Sequence, residues 1–253
     1  MKNEIHTSAK KALKGGALDD EIYDGDVIEA CASMSKESIE SFLDIPIRSL
    51  IALRSGELYA PGDTWRKAAL NLNCEGWAED RFKIIRYFLS DLKNNSFPVL
   101  SSEQELRIGF TGGAIYCKLG NHRIVAAKAW LANNYSEYSI FKKAKCYYRE
   151  ICPPLKELMN KCLEEGSTMH YASVSHDFKY LRKHGILGLI KVKKNPWNID
   201  IYILDTQFDT LKLVPPSRNL ISRVLKFDLR SKCSRPKFKT IPTKLIKIML
   251  EKT

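Results

Sequence analysis

A strand, one glycine and a helix follow one another without a linker between residues 114 and 131, and this junction constrains the fold more than any other segment. Ala114-Ile115-Tyr116-Cys117-Lys118-Leu119 is a short run with the apolar and aromatic character of a half-buried strand. Gly120 breaks it. Asn121-His122-Arg123 then opens a helical stretch, Ile124-Val125-Ala126-Ala127-Lys128-Ala129-Trp130-Leu131. The first turn of a helix leaves backbone N–H groups unpaired, and the aligned peptide dipoles add partial positive charge there. A glycine lets backbone approach an anion closely, and an arginine forks onto phosphate oxygens. The junction therefore predicts a phosphate site at residues 120–123. Gly120, Asn121, His122 and Arg123 form it, and His122 is also the candidate for a catalytic role.

The charge balance agrees with an anionic ligand. The chain carries a net charge of +12 over 253 residues, which favours nucleic acid, nucleotides or an acidic surface. From Asp209 to Thr253 there are twelve Lys/Arg against three Asp/Glu, so this end holds nine of the twelve net charges. Lys232, Arg235, Lys237 and Lys239 interleave there with Phe238, a pattern suited to a phosphate backbone or to a solvated face. Seven cysteines form no CxxC pair, and His170, His176 and His184 do not share a helical face. Reduced thiols and no metal site are expected. No apolar run reaches the roughly 18 residues that cross a membrane, and the N-terminus lacks the apolar core of a secretory signal. The expectation is a cytoplasmic protein without a membrane partner.

Along the chain, residues 1–34 are polar and read as a loosely ordered extension. A short helix is expected over 35–43, then an edge strand over 44–51 that tolerates Pro46. Residues 54–66 read as a loop, with turn signals at Ser55-Gly56 and Pro61-Gly62. Phe82, Ile85, Phe88, Leu89 and Leu92 set a helix over 79–92. A strand begins at Phe97-Pro98-Val99-Leu100, and 106–110 with 114–119 bracket Thr111-Gly112-Gly113 as a hairpin. After a strand over 142–151, Pro153-Pro154 marks a domain boundary. Helices over 155–164 and 173–184 then precede a hairpin, 186–193 with 199–204. Helix, helix, hairpin is the order of a winged helix, whose second helix enters the major groove. Tyr171, Lys179, Arg182, Lys183, Lys193, Lys194 and Trp197 would form its DNA face, extended by Arg235, Lys237 and Lys239.

Residues 44–151 resemble the ParB/sulfiredoxin-like fold. Asp44-Ile45-Pro46-Ile47 with Leu50-Ile51 is similar to its opening strand, and the 79–92 helix to the helix before its central strands. Phe97-Pro98-Val99 is similar to the strand entry that follows. Leu119-Gly120-Asn121-His122-Arg123 with Ala126-Ala127-Lys128 is similar to the Gly-x-(His/Arg)-Arg box of its phosphate-gripping helix. The resemblance implies nucleotide binding, ATP or CTP with Mg²⁺, with the phosphates over Gly120 to Arg123. The family includes CTP-binding partition proteins, sulfinic-acid reductases, small-molecule kinases and proposed nucleases. Asn121 stands where the reductase branch has a reactive Cys, which argues against that reaction. Asn121-His122 also departs from the Glu-Arg-Arg of the partition branch.

A hydrolytic or phosphoryl-transfer reaction needs a carboxylate to orient the nucleophile or hold a metal. Glu57 and Asp63 are the preferred candidates, ahead of Glu79, Glu103 and Glu105, because the loop before the helix faces the box in related folds. Arg54 and Arg66 in that loop are candidate phosphate contacts. The sequence thus predicts an α+β protein in three parts: an extension, 1–34; a ParB/sulfiredoxin-like domain, 35–152; and a smaller basic module, 153–253, of winged-helix type. The expected function is a nucleotide-dependent, nucleic-acid-associated protein, with NTP hydrolysis and DNA cleavage as the reactions open to it. A non-enzymatic DNA-binding regulator of partition type and a kinase of a small molecule or protein are the alternatives, and a homodimer is left open.

Overall fold

A computed structural model describes residues 1–54, 58–60, 62–74, 76–99, 105–136, 138–173, 188–195, 197–214 and 237–251. The described chain is mixed α and β, with seven helices and two sheets. It divides into two compact units. The first is Met1–Ile28, Ser38–Phe110 and Ala114–Tyr148, and the second is Glu29–Glu37, Thr111–Gly113 and Arg149–Thr253.

Unit 1 is built on a six-stranded sheet. Its strands are β1 (Tyr23–Asp24), β2 (Ile39–Pro46), β3 (Leu50–Leu53), β4 (Arg107–Thr111), β5 (Ala114–Leu119) and β6 (Ile140–Arg149), in the order β1-β3-β5-β4-β6-β2. β1, β3 and β5 run parallel, and Leu53 lies beside Asp24 on one side and Cys117 on the other. The glycine pair Gly112-Gly113 joins β4 to β5, and β2 pairs antiparallel with β6.

The helices are α1 (Lys2–Lys11), α2 (Gly25–Ala30), α3 (Trp65–Asn71), α4 (Arg81–Leu89) and α5 (Asn121–Asn134). α1, α3 and α5 pack against one another. Met1–Ile28 is therefore part of unit 1, which corrects the reading of 1–34 as a loose extension. The buried stripe of α1 is Ile5, Ser8 and Ala9. Small residues there let helices approach closely but carry little hydrophobic signal, so the neighbours α3 and α5 decide the burial.

Two further expectations change. Residues 39–46 form β2 instead of the end of a helix over 35–43, because seven of them pair with β6 and the ladder overrides local propensity. Pro46 sits at the last position of this edge strand, where its missing N–H removes no central hydrogen bond. No strand starts at Phe97. Its ring packs instead edge-on against Trp77 and Tyr87, 5.1 and 5.2 Å away.

Unit 2 holds α6 (Pro153–Glu165), β7 (Thr168–Ser173), β8 (Gly188–Asn195), β9 (Asn198–Asp205), β10 (Thr210–Leu213), β11 (Lys239–Ile241) and α7 (Thr243–Leu250). The five strands make one antiparallel sheet, β10-β9-β8-β7-β11. The expected hairpin is present as β8–β9, but it forms the middle of this sheet. Ser173, expected to begin a helix, closes β7, and 174–187 lie outside the described residues. Nearly all of the expected second helix, 173–184, therefore lies outside the described residues, and among those described the hairpin joins β7, β10 and β11 in a five-stranded sheet. In the β4–β5 turn Gly112 has φ +55°, and a Cβ there would overlap the Met249 carbonyl oxygen of α7. Among the described residues no helix is long and apolar enough to cross a membrane, and the six described cysteines are unpaired and buried.

Candidate phosphate site

Three parallel strands end side by side in unit 1. β1 ends at Asp24, β3 at Leu53 and β5 at Leu119, and beyond them lie Gly25, Arg54 and Gly120. The carboxyl ends of parallel strands are where open sheets of this kind bind ligands, because the following loops and helix starts converge there.

Local contacts lock the three ends together. Asn121 Oδ1 accepts from the Arg54 backbone N–H at 3.3 Å, tying the exit of β3 to the first turn of α5. A Cβ on Gly25 would stand 2.9 Å from the Leu53 carbonyl carbon and oxygen, so only glycine lets α2 start so near β3. Asp24 Oδ1 accepts the N–H groups of Asp26 and Val27 at 3.0 and 3.3 Å and opens α2. The Tyr59 hydroxyl donates to the Leu53 carbonyl at 3.0 Å. Burial pushes that hydroxyl well above its ordinary range, with Asp24 and Asp26 adding to the effect.

Gly120 makes the turn with φ +97°, a left-handed conformation that strains any other residue. The first turn of α5 holds no acidic residue, and its N-cap makes no side-chain hydrogen bond. Asn121 is half-buried and His122 exposed. The backbone donors of this turn and the positive end of a 14-residue helix therefore lie beside an exposed imidazole.

Arg123 departs from the expectation. It is only 6% exposed, so it does not present its fork to solvent. Its guanidinium lies 5.1 Å from the centroid of Phe97 and turns back towards Gly120, where an added Cβ would meet its Nε at 3.2 Å and Leu106 Cδ1 at 2.6 Å. The Tyr87 hydroxyl is pushed up by burial, and the charge and hydrogen bond of Arg123 pull it the other way. Among the described residues no carboxylate lies within ion-pair distance of Arg123. The correction is physical: a residue in the first turn of a buried helix points back along the chain towards the sheet. The positive charge sits beneath the turn instead of reaching over it.

The arginines and acids of the preceding loop sort into two groups. Arg54 stands at the strand ends, with its Nε on Asp26 Oδ1 at 2.8 Å and both side chains part-exposed. Arg66 does not serve the site. Its five donors go to Asp19 and to the carbonyls of Ala9, Ala12 and Leu13, clamping the end of α1. Asp63 is likewise structural, accepting from Lys67 Nζ at 2.6 Å and from the Ala60 N–H at 2.8 Å. Those two bonds hold its carboxyl below the usual range. Glu57 lies outside the described residues. Sequence reasoning missed the carboxylates that do stand here, Asp24 and Asp26. The signal was the Asp24-Gly25-Asp26 triplet at a strand exit, inside a segment read as an extension. Cys117, next to the turn, is pushed up to about 12 by burial, against the charges of Arg123 and Arg54, and stays a thiol.

The predicted DNA-contacting residues are also re-sorted. Lys179, Arg182, Lys183 and Arg235 lie outside the described residues. Lys193 is exposed on one face of the second sheet, opposite Thr168 and Ile199. Lys194 points to the other face and pairs with Asp200 at 3.2 Å. Lys239 stands opposite Tyr171, whose ring is 7% exposed, so neither shares the face of Lys193. Lys237 is exposed before β11. Trp197, at the β8–β9 tip, is 95% exposed. Comparison with protein-family models, curated proteins and solved structures finds no match to this chain.

Proposed function

We propose that unit 1 is a nucleotide-binding domain of ParB/sulfiredoxin-like type, in a protein that works in association with nucleic acid. The observation that carries this reading is the convergence of three parallel strand ends on the Gly120 turn, where an uncapped, acid-free helix start faces outward. The triphosphate would accept from the backbone N–H groups of residues 121–123, with His122 as an exposed side-chain donor. Arg123 adds positive potential from below, where low dielectric strengthens it. Asn121 holds the turn against β3 and so fixes the geometry of the donors.

The described residues contain no group of three or more His, Cys, Asp or Glu able to hold a metal ion. Asp24 is committed to capping α2 and Asp26 to Arg54. Backbone donors at a helix start suit an anion, and the reading is one of nucleotide binding.

Titration calorimetry with ATP, CTP and inorganic phosphate tests it. Binding of at least one nucleotide is expected. His122→Ala should weaken it by at least about tenfold, the effect of one lost hydrogen bond to a charged partner. The fold should be undisturbed, since His122 is exposed. Absence of heat with every nucleotide overturns the reading.

A further inference from the structure

The pairing register of the second sheet brings a cationic surface together from residues scattered along the chain. On one face, β7, β8 and β9 align Thr168, Lys193 and Ile199 in a row. The next row on that face is Thr240, His170, Lys191 and Ile201. Thr168, Lys193, Ile199 and Thr240 are exposed, and His170, Lys191 and Ile201 half-buried. Neither row contains Asp or Glu. The neighbouring carboxylate, Asp200, projects to the opposite face, where Lys194 neutralises it.

Aromatic rings accompany the charges. Lys191 Nζ lies 4.6 Å from the centroid of Phe238. The ring of Trp197, at the end of the β8–β9 hairpin, is almost fully exposed. His170 Nδ1 is 3.1 Å from Thr240 Oγ1, and burial followed by the charges of Lys191 and Lys193 lowers its pKa. The two lysines thus act on one spot. Behind these two rows the opposite face is buried, with Met169, Ile190, Val192 and Ile241, and the cationic face itself ends where Ala172 and Leu189 are buried in its next row.

We infer that this face of the second sheet binds single-stranded nucleic acid, with Lys191 and Lys193 on backbone phosphates and Trp197 and Phe238 as stacking platforms. Cations interleaved with flat rings suit a strand whose bases are free to stack, whereas the bases of a duplex are already stacked on one another. Contacts of this kind read charge and base planes, so DNA and RNA strands are both bound. This rests on the nucleic-acid association proposed above, but not on the nucleotide site.

Fluorescence anisotropy of the full chain with labelled single strands of about 15 nucleotides, DNA and RNA, tests it. The double variant Lys191→Ala/Lys193→Ala should bind at least tenfold more weakly, with a shallower salt slope from two lost phosphate contacts. Trp197→Ala should lose on the order of tenfold by removing one stack. Lys194→Ala, one residue away but on the other face, should bind like the parent chain. Equal losses from Lys193→Ala and Lys194→Ala overturn the inference, because they mean undirected charge. So do a duplex bound as tightly as the strand, and anionic vesicles or an acidic peptide bound with no strand binding. A chain that binds nucleotides in calorimetry but no strand loses this inference and keeps the nucleotide reading. The converse result does the opposite.

Discussion

Raising the pH from 7 to about 8.5 should stabilise the protein by about 2 kcal/mol relative to its Lys128→Met variant. Lys128 lies on α5 and is fully buried. Its Nζ donates to the Leu50 carbonyl at 2.8 Å and sits 3.9 Å from the centroid of the Trp65 ring. Burial pushes its pKa from 10.5 down to about 7, opposed by Asp20 and reinforced by Arg48. The folded-state value is depressed, so the unfolded chain binds more protons between those two values. Stability therefore climbs as pH rises through that window and is lost as pH falls to the lower end. Over the whole interval the effect is about 5 kcal/mol.

The buried thiols act with the opposite sign. Cys31 and Cys117, both pushed up to about 12, favour the unfolded chain once their unfolded counterparts ionise near pH 9. At about pH 8.5 roughly a quarter of each unfolded thiol is already ionised, and with Cys74, Cys146, Cys152 and Cys162 also pushed up to about 11 the thiols offset about 1 kcal/mol. That contribution cancels when parent and Lys128→Met are unfolded in urea side by side at the two pH values. At pH 7 the Met variant should exceed the parent by about 2 kcal/mol, since a buried cation without a carboxylate is replaced by an apolar chain of similar length. A difference between parent and Lys128→Met that is flat with pH would show that the ammonium stays charged over Trp65.

How much of this the sequence announced depends on how strongly each local signal matched its tertiary setting. β5, the Gly120 turn and α5 emerge where the pattern puts them, because an apolar run, a left-handed glycine and a helix-forming stretch all agree. The β8–β9 hairpin is legible for the same reason, from β-branched runs either side of Asn195 and Asn198. The failures occur where partners outvote local preference. Ile39, Phe42 and Leu43 fall at helical spacing, yet strand pairing with β6 takes them. Ile5, Ser8 and Ala9 form a stripe too small to read. At the site, residue types were legible but directions were not. Arg123 was taken as a fork and is instead buried charge. Arg66 was taken as a ligand contact and is a clamp. Lys193 and Lys194 were grouped by proximity along the chain, although strand alternation sends neighbours to opposite faces. Asp24 and Asp26 went unseen because their strand has only two residues and is recognised by its partner β3 alone.

At the turn itself, Gly120→Ala and Arg123→Met should move stability in opposite directions while both weaken nucleotide binding. The alanine meets two obstacles. A φ of +97° costs a residue with a Cβ about 1–2 kcal/mol. Its methyl also arrives 2.6 Å from Leu106 Cδ1, and Leu106 is buried and must displace its own neighbours. A loss of about 3 kcal/mol is expected, with affinity falling at least tenfold because the donors of residues 121–123 no longer converge. Arg123→Met removes a buried guanidinium that has no carboxylate among the described residues and sits at the positive end of α5. Replacing such a charge with an apolar chain of similar volume is neutral or stabilising, so thermal unfolding should show a gain of about 1 kcal/mol. The hydrogen bond to Tyr87 and the contact with Phe97 set the opposing contribution. Calorimetry on the same variant should show nucleotide affinity reduced about tenfold. A fold that becomes more stable as its ligand is lost identifies a charge kept for binding. A drop of more than about 2 kcal/mol in Arg123→Met, with nucleotide affinity unchanged, would instead make Arg123 a packing residue and leave the anion to His122 and the backbone alone.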